Sequence, residues 1–239
     1  MFIDKKIQVV GLPRTCSSYL SNSINIVIQA AVNPNYVFLG EPIQSGTNRE
    51  LNKYFALIKN KNVKVVKHHI DQFNKLIQHP NYKRIDDRFY TIGIIRNNIF
   101  DSALSLSVAL YTNQYSNYTY ANDKIVIDKH KFVNCLFFQI QRWELFVSLK
   151  HQFDEIVYSN SLTFNPVLDV NRLHLFSTPL EVDLLTDYAL VENFKAPDKF
   201  TVVANYKELY ALTINFLAEY FNPYIKVTGV NFEFRSANS

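Results

Sequence analysis

The sequence predicts an α/β fold, a three-layer sandwich built on a central, mostly parallel sheet. Two observations lead to this prediction. Short runs of β-branched and aromatic residues alternate along the chain with segments of helical periodicity, and polar or charged residues follow directly after several of these runs. The length of 239 residues and the hydrophobic content of 48% are ample for a buried core, so we expect a single domain over residues 1–239.

The predicted strands are short apolar runs. The clearest is 89–95, which ends at Arg96, and 63–66 is a similar run that ends at Lys67. The complete set of predicted strands comprises residues 6–10, 36–39, 63–66, 89–95 and 155–158. Ligands of parallel sheets bind beyond the carboxyl ends of the strands, and the candidate functional residues follow the strands in the sequence.

The predicted helices carry apolar residues at spacings of three and four. The first helix, 17–31, has an apolar face formed by Leu20, Ile24, Val27, Ile28 and Ala31. The complete set of predicted helices comprises residues 17–31, 48–59, 71–78, 100–110, 129–150 and 206–220. The stretch 111–123 is rich in Tyr, Asn, Ser and Thr and has neither periodicity, so we expect a surface loop there.

The composition argues against several classes of function. A net charge of +4 favours anionic ligands mildly, without the clustered basic surface of a nucleic-acid-binding protein. Cys16 and Cys135 alone provide neither a disulfide framework nor a zinc-ligand spacing, which indicates a reducing compartment. The first residues lack the apolar core of a signal peptide and no apolar run is long enough to span a bilayer. We therefore expect a cytoplasmic protein without a membrane anchor.

The junction of the first strand and the first helix, residues 11–18, is the most informative segment. A tight loop between a strand and a helix presents backbone N–H groups to an anion. Arg14 adds a guanidinium fork, and three hydroxyl groups add further donors. This pattern predicts a phosphate-binding loop. It is not the G-x-x-x-x-G-K-[ST] loop of nucleotide hydrolases, because Cys16 and Ser17 stand where the second Gly and the Lys belong.

The junction resembles the Pro-Lys/Arg-Ser-Gly-Thr-Thr-x-Leu loop of sulfotransferases. In that family, the loop binds the 5′-phosphosulfate end of 3′-phosphoadenosine 5′-phosphosulfate (PAPS). The resemblance implies a P-loop-like sulfotransferase fold, and an Arg14 that also neutralises the leaving phosphate. The cofactor-binding residues that it implies here are Pro13, Arg14, Thr15, Cys16, Ser17 and Ser18. Cys16 replaces the family's Gly, and its Cβ makes a positive φ costly.

A second match follows the third predicted strand, where Lys67 and His69 are similar to the Lys-Thr-His of cytosolic sulfotransferases. There the His deprotonates the acceptor hydroxyl and the Lys steadies the sulfuryl group, so the resemblance implies these roles for His69 and Lys67. His68 should point to the other face of the sheet, because side chains alternate along a strand. Glu41, in the loop after the second strand, is the alternative base, since some bacterial and tyrosine-directed sulfotransferases use a Glu there. The sequence leaves the choice between His69 and Glu41 open.

A third match follows the fourth strand and resembles the family's Arg-Asn/Asp-Pro-x-Asp-x-x-x-Ser signature. In the family, this Arg and Ser bind the 3′-phosphate of PAPS, which implies the same role for Arg96 and Ser105. Ser105 matches only if one residue is inserted after Asn97, and the usual Pro is absent. Trp143 is similar to the Trp of a family helix. Lys195 and Lys199 lie in the region from which the family often brings a basic loop to the 3′-phosphate.

These matches lead to the expectation of a sulfotransferase that transfers a sulfuryl group from PAPS to a hydroxyl or amine and releases 3′-phosphoadenosine 5′-phosphate (PAP). The scheme requires no metal, and the acceptor is a small molecule, a carbohydrate or a peptide, not a nucleic acid. A small-molecule P-loop kinase is one alternative, although Ser17 replaces its Lys and no clear Mg²⁺-binding carboxylate follows a strand. A non-catalytic relative that binds PAP or another nucleotide is the other. The aromatic stretch 111–120 does not distinguish between acceptors.

Overall fold

The computed structural model describes residues 4–43, 47–85, 88–113, 124–179 and 202–235. Within these residues the protein is α/β, with a five-stranded parallel sheet and a separate antiparallel hairpin. The chain divides into two compact units. The first comprises Met1–Ile95 and Leu149–Val191, and the second comprises Arg96–Ser148 and Glu192–Ser239. The predicted single domain over the whole chain stays a prediction.

The sheet lies in the first unit, and all five predicted strands are present in it. Its strands are β1 (Lys6–Gly11), β2 (Val37–Gly40), β3 (Val63–His69), β4 (Phe89–Ile95) and β5 (Glu155–Tyr158), in the spatial order β2-β3-β1-β4-β5. The predicted end of the third strand at Val66 is wrong by three residues. The ladder between β1 and β3 continues to the pair Gly11 and His69, because both backbones stay extended to that point.

Seven α-helices lie in the described residues, and they include the six predicted ones. They are α1 (Ser17–Ala31), α2 (Asn48–Leu57), α3 (Ile70–Ile77), α4 (Ile99–Thr112), α5 (Lys129–Ser148), α6 (Pro166–Asn171) and α7 (Tyr206–Ala218). None of the helices in the described part of the chain combines the length and the apolar character that a bilayer crossing requires. The prediction of a loop from residue 111 is wrong for Tyr111 and Thr112, which belong to the last turn of α4. Residues 114–123 lie outside the described residues.

One face of the sheet packs against α1 and α6. Ile7 and Val9 of β1 are completely buried there against the apolar face of α1, including Leu20 and Ile24. Val170 of α6 belongs to the same cluster. Four of the five residues predicted for the apolar face of the first helix belong to this core, whereas Ala31, at the end of the helix, is exposed.

The opposite face of the sheet packs against α2 and α3. Gln8 of β1 points to this face, where its Oε1 atom accepts a hydrogen bond from the Tyr82 hydroxyl at 2.9 Å. The Tyr82 ring lies edge-on to Phe73 of α3, with 6.2 Å between the ring centroids. Tyr54 of α2 lies edge-on to His68 of β3 at 5.3 Å. Helices therefore cover both faces of the sheet in this unit, which is the three-layer arrangement that the sequence predicts.

The carboxyl ends of β1 and β3 form a topological switch point. The two strands are neighbours, but α1 leaves β1 toward one face of the sheet while α3 leaves β3 toward the other. Backbones that diverge in this way leave a crevice beyond the strand ends, where α/β proteins bind their ligands. Residues 11–18 and the end of β3 both lie at this crevice.

The second unit contains α4, α5, α7 and a hairpin of β6 (Ile225–Thr228) and β7 (Asn231–Phe234). This hairpin was not predicted from the sequence. Its turn contains Gly229, which has a φ of 61°, the left-handed conformation that a two-residue hairpin turn requires. The signal in the sequence was a single Gly between two alternating runs, which is too short a pattern to separate from a loop.

Candidate active site

The β1–α1 junction, residues 11–18, folds back tightly over the end of β1. A Cβ atom built on Gly11 would lie 2.7 Å from the Cβ of Ser17 and 2.8 Å from the Cγ2 of Ile94. Both distances are shorter than real Cβ contacts allow, so Gly at this position is required by the close approach of the chain to itself. The junction is therefore a tightly packed turn that accepts only glycine at position 11.

Two non-glycine residues of the junction have left-handed backbones, a conformation that is unfavourable for any residue with a Cβ atom. Arg14 has a φ of 68° and Cys16 a φ of 62°. Each left-handed residue costs roughly 1–2 kcal/mol, and such strain is concentrated at functional sites. The Cys16 side chain packs against the apolar cluster of α1, so the thiol also serves as a small packing group.

The hydroxyl groups of the junction are not used to cap α1. The N-cap residue is Cys16, whose side chain makes no capping hydrogen bond, and the first turn of the helix contains no acidic residue. Thr15 is buried and donates its hydroxyl hydrogen to the Leu12 carbonyl at 2.8 Å, which closes the turn. Ser17 is also buried, whereas the Ser18 Oγ accepts a hydrogen bond from β3.

Lys67 of β3 reaches the first turn of α1. The register of the sheet places Lys67 opposite Val9 of β1, two pairs before the ladder ends at Gly11 and His69. Its Nζ atom donates to the Ser18 Oγ at 2.7 Å and to the Glu41 carboxylate, and the residue is only 5% exposed. The structure thus places a buried ammonium group beside the amino end of a helix, and the role of Lys67 in binding an anion stays a prediction.

Glu41 connects the two other predicted residues of this site. Its Oε1 atom accepts from Lys67 and lies 3.1 Å from the Nε2 atom of His69. The Glu41 backbone N–H donates to the Lys67 carbonyl at 3.1 Å, which continues the ladder from β2, and its φ of 47° turns the chain there. A residue that the sequence offered only as an alternative base therefore lies between the predicted lysine and histidine.

The surroundings of Glu41 hold its carboxyl group in the charged form. The hydrogen bond from His69 lowers the pKa of Glu41. Partial burial raises this pKa, but the hydrogen bond from Lys67 lowers it further, so that the pKa is about 2. A carboxylate with so low a pKa is a weak proton acceptor at neutral pH. A charged carboxylate that contacts both an imidazole and an ammonium can hold the two groups in a fixed orientation.

His69 and His68 face opposite sides of the sheet, so the predicted alternation is confirmed. His69 is partly exposed, and its backbone N–H donates to the Gln72 Oε1 at 2.8 Å, which fixes the chain where α3 begins. His68 is completely buried beneath the Tyr54 ring, and burial lowers the pKa of His68 to about 3. Only His69 of the two is placed at the crevice.

A buried contact that the sequence analysis missed supports the junction from α6. The Tyr19 hydroxyl, in the first turn of α1, donates to the Asp169 carboxylate at 2.7 Å, and burial together with this contact raises the pKa of Tyr19. The other oxygen of Asp169 accepts two hydrogen bonds from Thr163, both at 2.8 Å. The partners lie 150 positions apart, and no local pattern indicates such a pair.

Arg96 and Ser105, the residues predicted to bind a 3′-phosphate, belong to the second unit. Arg96 is half-buried, and its carbonyl accepts a hydrogen bond from the Trp143 indole at 2.9 Å. Ser105 lies in the interior of α4 and is 5% exposed. Their roles stay predictions. Lys195 and Lys199, together with most of the aromatic stretch 111–120, lie outside the described residues.

Comparison of the chain with protein-family models and with curated proteins gives no match. Among the described residues, no group of three or more His, Cys, Asp or Glu side chains is arranged to hold a metal ion. The chemical groups that indicate a function lie in the junction and at the three strand ends around it.

Proposed function

We propose that the protein is a PAPS-dependent sulfotransferase with a P-loop-like fold, which transfers a sulfuryl group to a hydroxyl or amine acceptor. One observation carries the proposal. At the switch point of the sheet, the first turn of α1, Lys67, Glu41 and His69 meet through contacts of 2.7 Å and 3.1 Å. Free N–H groups at a helix end and a buried cation can offset the charge of a transferred sulfuryl group, and a histidine can take the proton of the acceptor.

The donors at this site fit the phosphosulfate end of PAPS. The Lys67 ammonium contacts Ser18 and is also paired with the Glu41 carboxylate, so the field that favours a bound anion comes from the amino end of α1, whose first turn contains no acidic residue. Arg14 adds a second positive charge to the same junction. When bound, PAPS supplies the sulfuryl group. In this proposal Lys67, Arg14 and the first N–H groups of α1 offset the negative charge of the leaving phosphate.

His69 is the general base of the proposal, and Glu41 is the residue that positions it. The low pKa of Glu41 makes its carboxylate a weak base, and histidine is the side chain that most often serves as a general base. Because His69 Nε2 donates to Glu41 at 3.1 Å, the basic lone pair of the neutral imidazole lies on Nδ1, which is buried without a hydrogen-bond partner among the described residues, so the acceptor hydroxyl has to reach Nδ1 before His69 takes its proton. The acceptor hydroxyl then loses its proton as its oxygen attacks sulfur.

A PAP-binding protein without turnover is the second candidate, and a specific contact favours it. Glu41 engages both the Lys67 ammonium and the His69 imidazole, so the two groups needed for chemistry are already paired with a carboxylate. If that pairing persists with ligand bound, the chain binds the nucleotide without transferring a group.

Calorimetric titration with PAP, AMP and ATP–Mg²⁺ tests the proposal. We expect PAP to bind at least about tenfold more tightly than AMP, because a 3′-phosphate adds charge-assisted hydrogen bonds. Arg96→Ala should reduce PAP binding to the affinity of AMP. Arg88→Ala, which removes an exposed arginine just before β4, is the matched control and should leave both affinities unchanged.

The outcomes separate the candidates. Equal binding of PAP and AMP would overturn the assignment of a 3′-phosphate site, and preferential binding of ATP–Mg²⁺ would favour a kinase. Selective PAP binding, followed by transfer of labelled sulfuryl groups from PAPS to members of a panel of phenols, sugars and peptides, would support the sulfotransferase. Selective PAP binding without transfer would favour the second candidate.

A further inference from the structure

The Arg96 segment, residues 96–99, is tethered to a buried tryptophan from α5. The Trp143 indole Nε1 donates to the Arg96 carbonyl at 2.9 Å. Trp143 is completely buried, with its ring centroid 5.5 Å from that of Phe232 and 5.4 Å from that of Phe234, both in β7. A buried indole N–H needs an acceptor, and the packing of its ring leaves this N–H pointing at one carbonyl.

The hairpin holds the rest of the same segment through its backbone. The Phe232 amide donates to the Asn97 carbonyl at 2.8 Å, and the Ile99 amide donates to the Val230 carbonyl at 2.9 Å. These two bonds flank a single antiparallel bridge between Asn98 and Asn231, at the point where α4 begins. Together, the Trp143 indole and the hairpin backbone fix the chain at the residue that carries the predicted phosphate-binding guanidinium.

We infer that Trp143 and the C-terminal hairpin are positioning elements for Arg96, which make recognition of the 3′-phosphate depend on the last part of the chain. This inference rests on the proposed function. A guanidinium fork discriminates one phosphate from another by geometry, and a long flexible side chain achieves this only from a fixed backbone. The indole hydrogen bond ends at the Arg96 carbonyl, so its loss releases the backbone without removing a ligand contact.

Trp143→Phe is the variant that tests the inference. It keeps an aromatic ring against Phe232 and removes the single N–H donor. We expect PAP to bind about fivefold to tenfold more weakly, the effect of one lost hydrogen bond, while the affinity for AMP stays unchanged. A merely structural role of the tryptophan would weaken both nucleotides alike, so the ratio of the two affinities is the measurement.

Tyr220→Phe is the matched control. The Tyr220 hydroxyl donates to the Glu144 carboxylate of α5 at 2.7 Å, and its ring stacks on Phe232 at 5.3 Å. This variant also removes one hydrogen bond from α5 and the hairpin region, but none that reaches the Arg96 segment. It should leave the ratio of PAP to AMP affinity unchanged.

Three outcomes are distinguishable. If wild type binds PAP and AMP equally, the proposed function fails, and this inference fails with it. If wild type prefers PAP and Trp143→Phe keeps the full preference, the inference is overturned and the proposed function stands. If Trp143→Phe lowers the preference and Tyr220→Phe does not, the inference is supported.

Hydrogen exchange of single amides provides a second measurement that does not depend on a variant. PAP should slow the exchange of the Ile99 and Phe232 amides, because ligand binding stabilises the bonds that hold its binding segment. AMP, which lacks the 3′-phosphate, should slow them less. Equal protection of both amides by PAP and AMP, in a protein that prefers PAP, would overturn the link between the hairpin and the 3′-phosphate.

Discussion

The β1–α1 junction and the Arg96 segment were both singled out from short motifs, and the structure holds the two segments in place by different kinds of contact. The junction is a strained, self-packed turn in which Gly11, Arg14 and Cys16 determine the path of the chain. The Arg96 segment has no left-handed residue and is held by hydrogen bonds from Trp143 and the C-terminal hairpin. A segment whose path is determined by its own residues can be recognised from the sequence, whereas the contacts that hold a segment from distant parts of the chain leave no local pattern.

The largest effect is expected for substitution of His69. This variant tests whether catalysis takes place at the switch point. His69→Gln should lower the rate of sulfuryl transfer by about 10²–10⁴-fold, the usual contribution of a general base, and leave PAP binding unchanged. Glu41→Gln should lower the same rate by about tenfold, because a neutral amide orients the imidazole less firmly than a carboxylate does. Single-turnover rates measured beside PAP affinities check both values.

His174→Gln is the control for this pair of variants, since His174 is exposed and pairs with Glu155 elsewhere in the first unit. It should leave the transfer rate unchanged. A larger loss in Glu41→Gln than in His69→Gln would reverse the assignment and make Glu41 the base. Full activity of both variants would show that neither His69 nor Glu41 takes part in the reaction.

The arrangement of the strand ends explains how much of the site was predictable. Parallel strands bring the residues after β1, β2 and β3 to one edge, so the meeting of residues 11–18, Glu41 and Lys67 follows from the order of strands and helices. The sequence could not show that Glu41 would contact Lys67 and His69 at once, because this depends on a left-handed turn and on the register of β2.

The contacts missed from the sequence have one property in common, which is a long separation along the chain. Tyr19 and Asp169 are 150 positions apart, and the hairpin follows the Arg96 segment by more than half of the chain. Periodicity and motif spacing report neighbours within one element, and long-range hydrogen bonds depend on packing that no local pattern specifies. The fold class was therefore predicted more completely than the groups that position the site.

An intermediate effect is expected for substitution of Gly11. This variant tests whether the close packing of the junction requires glycine at this position. Gly11→Ala should destabilise the protein by about 1–3 kcal/mol and abolish selective PAP binding, because the new Cβ overlaps Ser17 and Ile94. Gly40→Ala is the control, since its Cβ would meet the Phe38 ring at 3.4 Å, an ordinary contact. Chemical denaturation and calorimetry check the pair, and equal stability of the two variants would show that the turn adapts.

The smallest effect is expected at Cys16. Cys16→Gly should stabilise the protein by about 0.5 kcal/mol, because relief of a left-handed backbone gains roughly 1–2 kcal/mol and the greater freedom of glycine in the unfolded chain returns about 0.5–1 kcal/mol. Cys16→Ala keeps the Cβ and the strain, so it should be no more stable than wild type. Denaturation midpoints of the three proteins measure the difference. If Cys16→Gly is the least stable of them, the packing of the thiol against the core outweighs the strain of the turn, and the junction is supported by its surroundings much as the Arg96 segment is.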